Sequence, residues 1–207
     1  MYARSTTVQA DPGAIDEGIT YLREKVLPTL EGTAGCIGLS MLTDRESGRC
    51  IASTSWETEE AMRATAQQVR SVRNQLVLRL GGEDADVREW EIGVVHRDRP
   101  AGDGASAQVT WARIQPNHVP DLLDAYRLNL MPRLRELPGF CSVSMLVDRR
   151  NGRTVSVTCF EDRDAVLRTR KHARVLREQF ATAMGARIVD VGEMDLAVAH
   201  LRVPETA

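Results

Sequence analysis

Sliding the chain by 104 residues superposes its two halves from end to end without a gap. Pro28 falls on Pro132, Gly35 on Gly139, and Ser40-Met41-Leu42 on Ser144-Met145-Leu146. Asp44-Arg45 and Gly48-Arg49 meet Asp148-Arg149 and Gly152-Arg153, and further on Gln75, Gly81, Glu89 and His96 meet Gln179, Gly185, Glu193 and His200. A register held over so many positions marks two copies of one unit, and an internal repeat constrains the fold before any local signal does. The expected division is residues 1–96 for the first unit, 97–106 for a linker rich in Gly, Asp and Arg, and 107–207 for the second unit.

Each copy reads as strand, helix, hairpin, helix, strand. The first strands are Ser5 to Ala10 and Gln108 to Ile114. The first helix carries Ile15, Ile19, Leu22, Val26 and Leu30 at helical spacing, and its counterpart carries Val119, Leu122, Tyr126, Leu130 and Leu134. Pro28 and Pro132 are expected to end this helix or bend it. Alternating strands then flank turns at Gly48 and Gly152, where glycine supplies a positive φ. Thr58 and Asp162 are suited to cap the second helix, whose stripes are Met62, Val69, Val72, Leu76, Leu80 and Val166, Ala173, Leu176, Phe180, Met184. The last strands run Val87 to His96 and Val189 to His200. This βαββαβ order is the ferredoxin-like unit, an α+β arrangement with helices on one sheet face and the other face open for a partner. The second copy is the expected partner, and a charge of −5 on residues 1–103 (12 basic, 17 acidic) against +3 on residues 104–207 (15 basic, 12 acidic) favours that pairing.

Composition removes several function classes. A net charge of −2 lacks the basic footprint of general nucleic-acid binding, and 4% aromatic residues are too few for a base-stacking surface. No segment approaches the ~18–20 apolar residues of a membrane span, so no membrane partner is expected. The start, MYARSTTVQADPG, lacks the apolar core of a signal peptide, and the expectation is a cytoplasmic protein. Cys36, Cys50, Cys141 and Cys159 have no metal-finger or C-x-x-C spacing and read as free, mostly buried thiols, so no metal is expected. Neither a phosphate-binding glycine loop nor a nucleophile elbow is present.

Leu134-Arg135-Glu136-Leu137-Pro138-Gly139-Phe140, then Asp148…Gly152-Arg153 and Phe160-Glu161…Ala165, resemble the antibiotic-biosynthesis-monooxygenase type of dimeric α+β barrel. The first copy matches through Gly35, Asp44…Gly48-Arg49 and Trp56-Glu57…Ala61. The resemblance implies two ferredoxin-like units forming such a barrel within one chain. It also implies a small-molecule ligand, and chemistry ranging from cofactor-free oxygenation of an aromatic or polyketide-like molecule to haem degradation. Haem-degrading members use an Asn on the first strand and a Trp and a His on the second helix. Here the first strands have no Asn, and the helix positions hold Thr65 or Thr169 and Asn74 or Glu178. Haem degradation by that route is not expected, and no cofactor is implied.

The candidate catalytic residues are Glu89 and Glu91, with Glu193 and Asp195 in the second copy, alternating onto one face of the last strands. In a closed space, repulsion and desolvation would raise one pKa of each pair and make a general base; the alternative is that they are solvated or paired with arginines such as Arg49 and Arg153. Trp111, Tyr126, Ser144 and Thr158 are candidate substrate contacts, with Ser40 and Thr54 as further polar positions; Trp111 and Tyr126 read equally as core. His172 is a candidate haem ligand or base, or else an exposed helix residue. Three function classes follow. They are a cofactor-independent monooxygenase, a non-catalytic small-molecule-binding or stress-response protein, and a haem-binding protein. Homo-oligomerisation stays open.

Overall fold

A computed structural model describes residues 1–102, 104–201 and 203–206, with the backbone alone at Leu201. Asp103 of the expected linker, and Arg202 and Ala207 of the second unit, lie outside the described residues. The elements follow the repeat. The first copy holds β1 (Tyr2–Gln9), α1 (Ile15–Tyr21), α2 (Leu27–Glu31), β2 (Cys36–Thr43), β3 (Arg49–Trp56), α3 (Glu59–Ala64), α4 (Ala66–Arg79) and β4 (Ala85–Arg97). The second holds β5 (Ser106–Arg113), α5 (Val119–Ala125), α6 (Met131–Arg135), β6 (Phe140–Asp148), β7 (Arg153–Phe160), α7 (Arg163–Ala183) and β8 (Arg187–Leu201). Within the first unit β3 pairs with β1 and β2, and within the second β5 pairs with β8 and β7, β7 with β6, and β6 with the C-terminal part of β4, all antiparallel. The fold class is thus α+β, with two ferredoxin-like units in one chain.

Two compact units divide inside the long strands. The first is Met1–Trp90 with Leu196–Val203, and the second is Glu91–Asp195 with Pro204–Ala207. In the first unit β3 lies antiparallel between β1 and β2, with Arg4 opposite Thr54 and Leu39 also opposite Thr54. Its core joins Ile15, Leu22, Val26 and Leu30 to Leu39, Met41 and Trp56, closed over by Met62, Val69, Leu76 and Leu80. In the second unit β5 lies between β7 and β8, with Gln108 opposite both Thr158 and Glu193. Val119, Leu122, Tyr126, Leu130 and Leu134 fill its core with Val143, Met145, Phe160 and Leu176. Each such side chain contributes about 1.5–3 kcal/mol on burial, so the stripes anchor the helices. Thr58 and Asp162 are the N-caps expected, accepting from the Ala61 and Ala165 amides.

The prolines act one turn earlier than a simple helix stop. The first helix of each copy continues through a π turn, Leu22–Val26 ahead of Pro28 and Tyr126–Leu130 ahead of Pro132. Proline has no N–H to give and its ring collides with the carbonyl four residues back, which a widened turn relieves. The second helix differs between copies. Arg4 Nη2 donates to the Met62 carbonyl at 3.0 Å, the acceptor Ala66 would use in an unbroken helix, and the helix is interrupted at Thr65 between α3 and α4. The second copy has Gln108 in place of Arg4, and α7 runs 21 residues without a break.

Candidate functional site

Each unit has a partly open cavity between its helices and its sheet, at positions equivalent under the 104-residue offset. In the first unit β1 turns Arg4 and Thr6 toward the helices, and β3 adds Ala52 and Thr54. Leu22 and Val26, at the two ends of the π turn, and Val69, Val72, Arg73 and Leu76 of α4 complete a largely apolar space of about 50 Å³. Arg4 is only 5% exposed. Its Nε and Nη2 donate to Glu89 Oε1 at 3.2 and 2.7 Å, while Nη1 is buried with no hydrogen-bond partner among the described residues. Arg73, half-buried, has no ion-pair or hydrogen-bond partner among them either. Burial first, then repulsion from Arg4 and Arg70, pushes the Arg73 pKa down from its usual range. The cavity therefore presents two cations, one of them compensated by Glu89.

The second cavity, about 60 Å³, has the same walls with different chemistry. Gln108 stands for Arg4, Tyr126 for Leu22, Ser156 for Ala52 and Phe180 for Leu76, while Arg177 repeats Arg73. Here the polar groups answer one another. Arg177 Nη1 donates to Gln108 Oε1 at 2.6 Å, and Tyr126 Oη and Ser156 Oγ share a hydrogen bond of 2.6 Å. Desolvation pushes the Tyr126 hydroxyl up to about 12, so it stays neutral and keeps its proton. Its ring packs edge-on against Phe180 with centroids 5.6 Å apart. The Arg177 pKa is also pushed down by burial, and its Nε has no partner among the described residues.

The residues expected from sequence divide between these cavities and elsewhere. Tyr126 and Thr158 line the second cavity and Thr54 the first, whereas Trp111 and Ser144 line neither. Trp111 is half-buried with its ring beside Gly192, and Ser144 alternates with the cavity-lining Met145 along β6. All four strand carboxylates are paired with arginine and none lines either of these two cavities. Glu89 binds Arg4 and lies 3.9 Å from Arg63. Glu91 is gripped at both oxygens by Arg149, at 2.5 and 2.6 Å, and that hydrogen bond holds its carboxyl below the usual range. Glu193 is gripped the same way by Arg170, at 2.7 and 2.5 Å. Asp195 accepts from Ser106 Oγ at 3.0 Å and lies 3.6 Å from Arg163. These arginines come from β1, α3, the β6–β7 turn and α7. His172 and His118 are exposed; His96 pairs with Asp98 and Glu205, and His200 with Glu31. Among the described residues no group of three or more His, Cys, Asp or Glu side chains could hold a metal ion, and no helix is long and apolar enough to cross a membrane.

Sequence reading missed Arg4, Arg73, Gln108 and Arg177. One signal was there: Arg73 and Arg177 coincide under the offset and each interrupts an apolar stripe, four residues after Val69 or Ala173 and three before Leu76 or Phe180.

Residues 1–68 match the antibiotic biosynthesis monooxygenase family. The uncharacterized protein Rv2558 of Mycobacterium tuberculosis (strain ATCC 25618 / H37Rv) is 45% identical over 206 residues, covering 99% of this chain and 87% of that protein. Rv2557 of the same strain is 44% identical over 205 residues, covering 99% and 91%. Among solved structures, an anthrone oxidase-like protein superposes with a TM-score of 0.65 at 11% identity, covering 100% of this chain and 95% of that one. A monooxygenase-like protein of Listeria innocua superposes at 0.54 and 11%, covering 95% and 94%. At these identities the structural likeness concerns the fold alone.

Proposed function

We propose that this chain, which belongs to the antibiotic biosynthesis monooxygenase family, binds an aromatic or polyketide-like small molecule in its helix-to-sheet cavities. The observation that carries this reading is the recurrence of an apolar cavity with an arginine at the same place, Arg73 and Arg177, in both units. An apolar hole with a few convergent polar groups is the common form of a small-molecule site. An apolar cavity of about 150 Å³ takes one benzene ring, so an aromatic ligand enters as the lining parts. Both π turns lie on that lining, and π turns recur at functional sites. Four unpaired thiols suit a cytoplasmic setting.

A second reading, cofactor-independent oxygenation, is favoured by Arg4 and Arg73. A cation pair beside an apolar wall stabilises the carbanion or enolate left when an activated C–H gives its proton to hydroxide from solvent, the proton returning to solvent in the water formed. That anion then gives its electrons to molecular oxygen, and for a methylene substrate the balance is R₂CH₂ + O₂ → R₂C=O + H₂O. The four paired strand carboxylates are not used as the base in this reading.

Anthrone tests both. Binding raises the thermal unfolding temperature whether or not oxygen is present. Turnover adds oxygen uptake above the spontaneous rate, with one O₂ consumed per anthraquinone formed. Stabilisation without extra uptake supports binding alone. No stabilisation by anthrone or by smaller aromatic ligands overturns the cavity reading.

A further inference from the structure

The two cavities share their walls but not their electrostatics. In the first, Arg4 is almost fully enclosed, its Nη1 has no partner among the described residues, and Arg73 faces the same space with no counter-ion there. In the second, Gln108 replaces Arg4 and accepts from Arg177 Nη1, leaving only Arg177 Nε without a partner among the described residues, and Tyr126 and Ser156 occupy each other. A buried cationic donor without an acceptor is costly, and the cost disappears when an anionic ligand supplies one. We propose that the first cavity is a specific site for the carboxylate or enolate group of a small apolar acid, held between Arg4 and Arg73, and that the second cavity does not share this preference. The inference rests on the cavity of the preceding section and not on its oxygen chemistry.

The chemistry follows from what each arginine has left to give. Arg4 spends Nε and Nη2 on Glu89 and the Met62 carbonyl and keeps Nη1 for the ligand. Arg73 keeps its whole fork. An anion between them accepts charge-assisted hydrogen bonds, the stronger kind. It also screens the repulsion between the two guanidinium groups, which is part of what pushes Arg73 down. Leu22, Val26 and Val69 receive the hydrocarbon part, so a free inorganic anion satisfies only half of the site. Glu89 limits affinity rather than contributing to it, because it neutralises Arg4 from outside the cavity.

The fold provides a reporter. Trp56, fully enclosed, donates from Nε1 to Thr54 Oγ1 at 3.1 Å, and Thr54 lines the cavity. Occupancy changes the surroundings of that indole. The experiment titrates the full chain, at constant ionic strength and neutral pH, with benzoate and its uncharged isostere benzamide, and with the smaller pair isobutyrate and isobutyramide. Calorimetry gives affinity and tryptophan fluorescence gives location. Each carboxylate is expected to bind about tenfold more tightly than its amide. Arg73→Met brings the two to the same affinity, and Arg177→Met leaves the preference intact. Glu89→Gln tightens the carboxylates, an outcome that damage to the fold does not produce. Equal binding of acid and amide in the wild-type chain overturns the proposal while leaving the cavity reading in place. A preference abolished by Arg177→Met but not by Arg73→Met also overturns it. Binding of none of the four probes overturns this proposal, and stabilisation by anthrone then decides the cavity reading separately.

Discussion

The hydrogen bond between Tyr126 and Ser156 permits a quantitative test of how the second cavity satisfies its own polar groups. Their first-copy counterparts are Leu22 and Ala52, so the same fold accommodates an apolar pair at these positions. Tyr126 is 2% exposed and its hydroxyl has Ser156 as partner at 2.6 Å. Tyr126→Phe removes one hydrogen bond and leaves a half-buried serine hydroxyl, a cost of about 1–2 kcal/mol. Ser156→Ala leaves the enclosed phenol without its acceptor and costs about 2–3 kcal/mol. The double variant removes donor and acceptor together and costs about 1 kcal/mol, so the coupling is about 2–4 kcal/mol. For a chain of this size 1 kcal/mol moves Tm by about 2–4 °C. Thermal and urea unfolding followed by circular dichroism read these differences. A pH series adds a second signature. Burial raises the Tyr126 pKa to about 12 in the folded state, above its value in the unfolded chain. Its contribution is therefore fully present below about pH 10 and lost as pH rises through 12. Tyr126→Phe abolishes that alkaline loss. Additive single-variant costs, or an unchanged alkaline limb, would refute the reasoning.

Three further outcomes follow from other parts of the structure. Gly152 has φ +60°, and a Cβ there would lie 1.9 Å from the Ile114 carbonyl oxygen, whereas at Gly185, φ +64°, it meets nothing within 4 Å. Gly185→Ala should cost only the left-handed backbone penalty of about 1–2 kcal/mol; Gly152→Ala should cost about 1–3 kcal/mol more by calorimetry, and equal costs would contradict the close approach. Arg149 holds the Glu91 carboxyl below its usual range, so this pair stabilises at neutral pH and its contribution is lost as pH falls through the lowered folded-state pKa. Arg149→Met should lower stability by about 1 kcal/mol in urea melts at pH 7, with the gap to wild type closing near pH 3. Burial pushes the Cys50 and Cys159 thiols up to about 11, so both should resist a thiol-disulfide reagent at pH 8 in the folded protein and react once urea unfolds it.

Much of the fold was legible because its signals are local. Glycines at 48 and 152 take φ +77° and +60° in the hairpins, Thr58 and Asp162 cap, and the apolar stripes close the two cores. Pro28 and Pro132 announced a disturbance, but not that it would appear as a π turn just before them. The interruption at Thr65 was not legible, since Thr169 occupies the same place in an unbroken helix. Its cause, the Arg4 hydrogen bond to Met62, spans 58 residues of sequence.

The site divides along the same line. Alternation placed Glu89, Glu91, Glu193 and Asp195 on their strands, but which arginine reaches each depends on elements that meet only after folding, as with Arg149 on Glu91 or Arg170 on Glu193. By itself the sequence determined that there are two copies of one βαββαβ unit, and where each turns, caps and buries its stripes. Periodicity and φ preference act within a few residues. Only the tertiary structure decided that Arg4 lies beside Arg73 with a donor to spare while Gln108 accepts from Arg177 Nη1. Charge compensation inside a low-dielectric space is set by what the chain brings within about 3 Å, not by spacing along it.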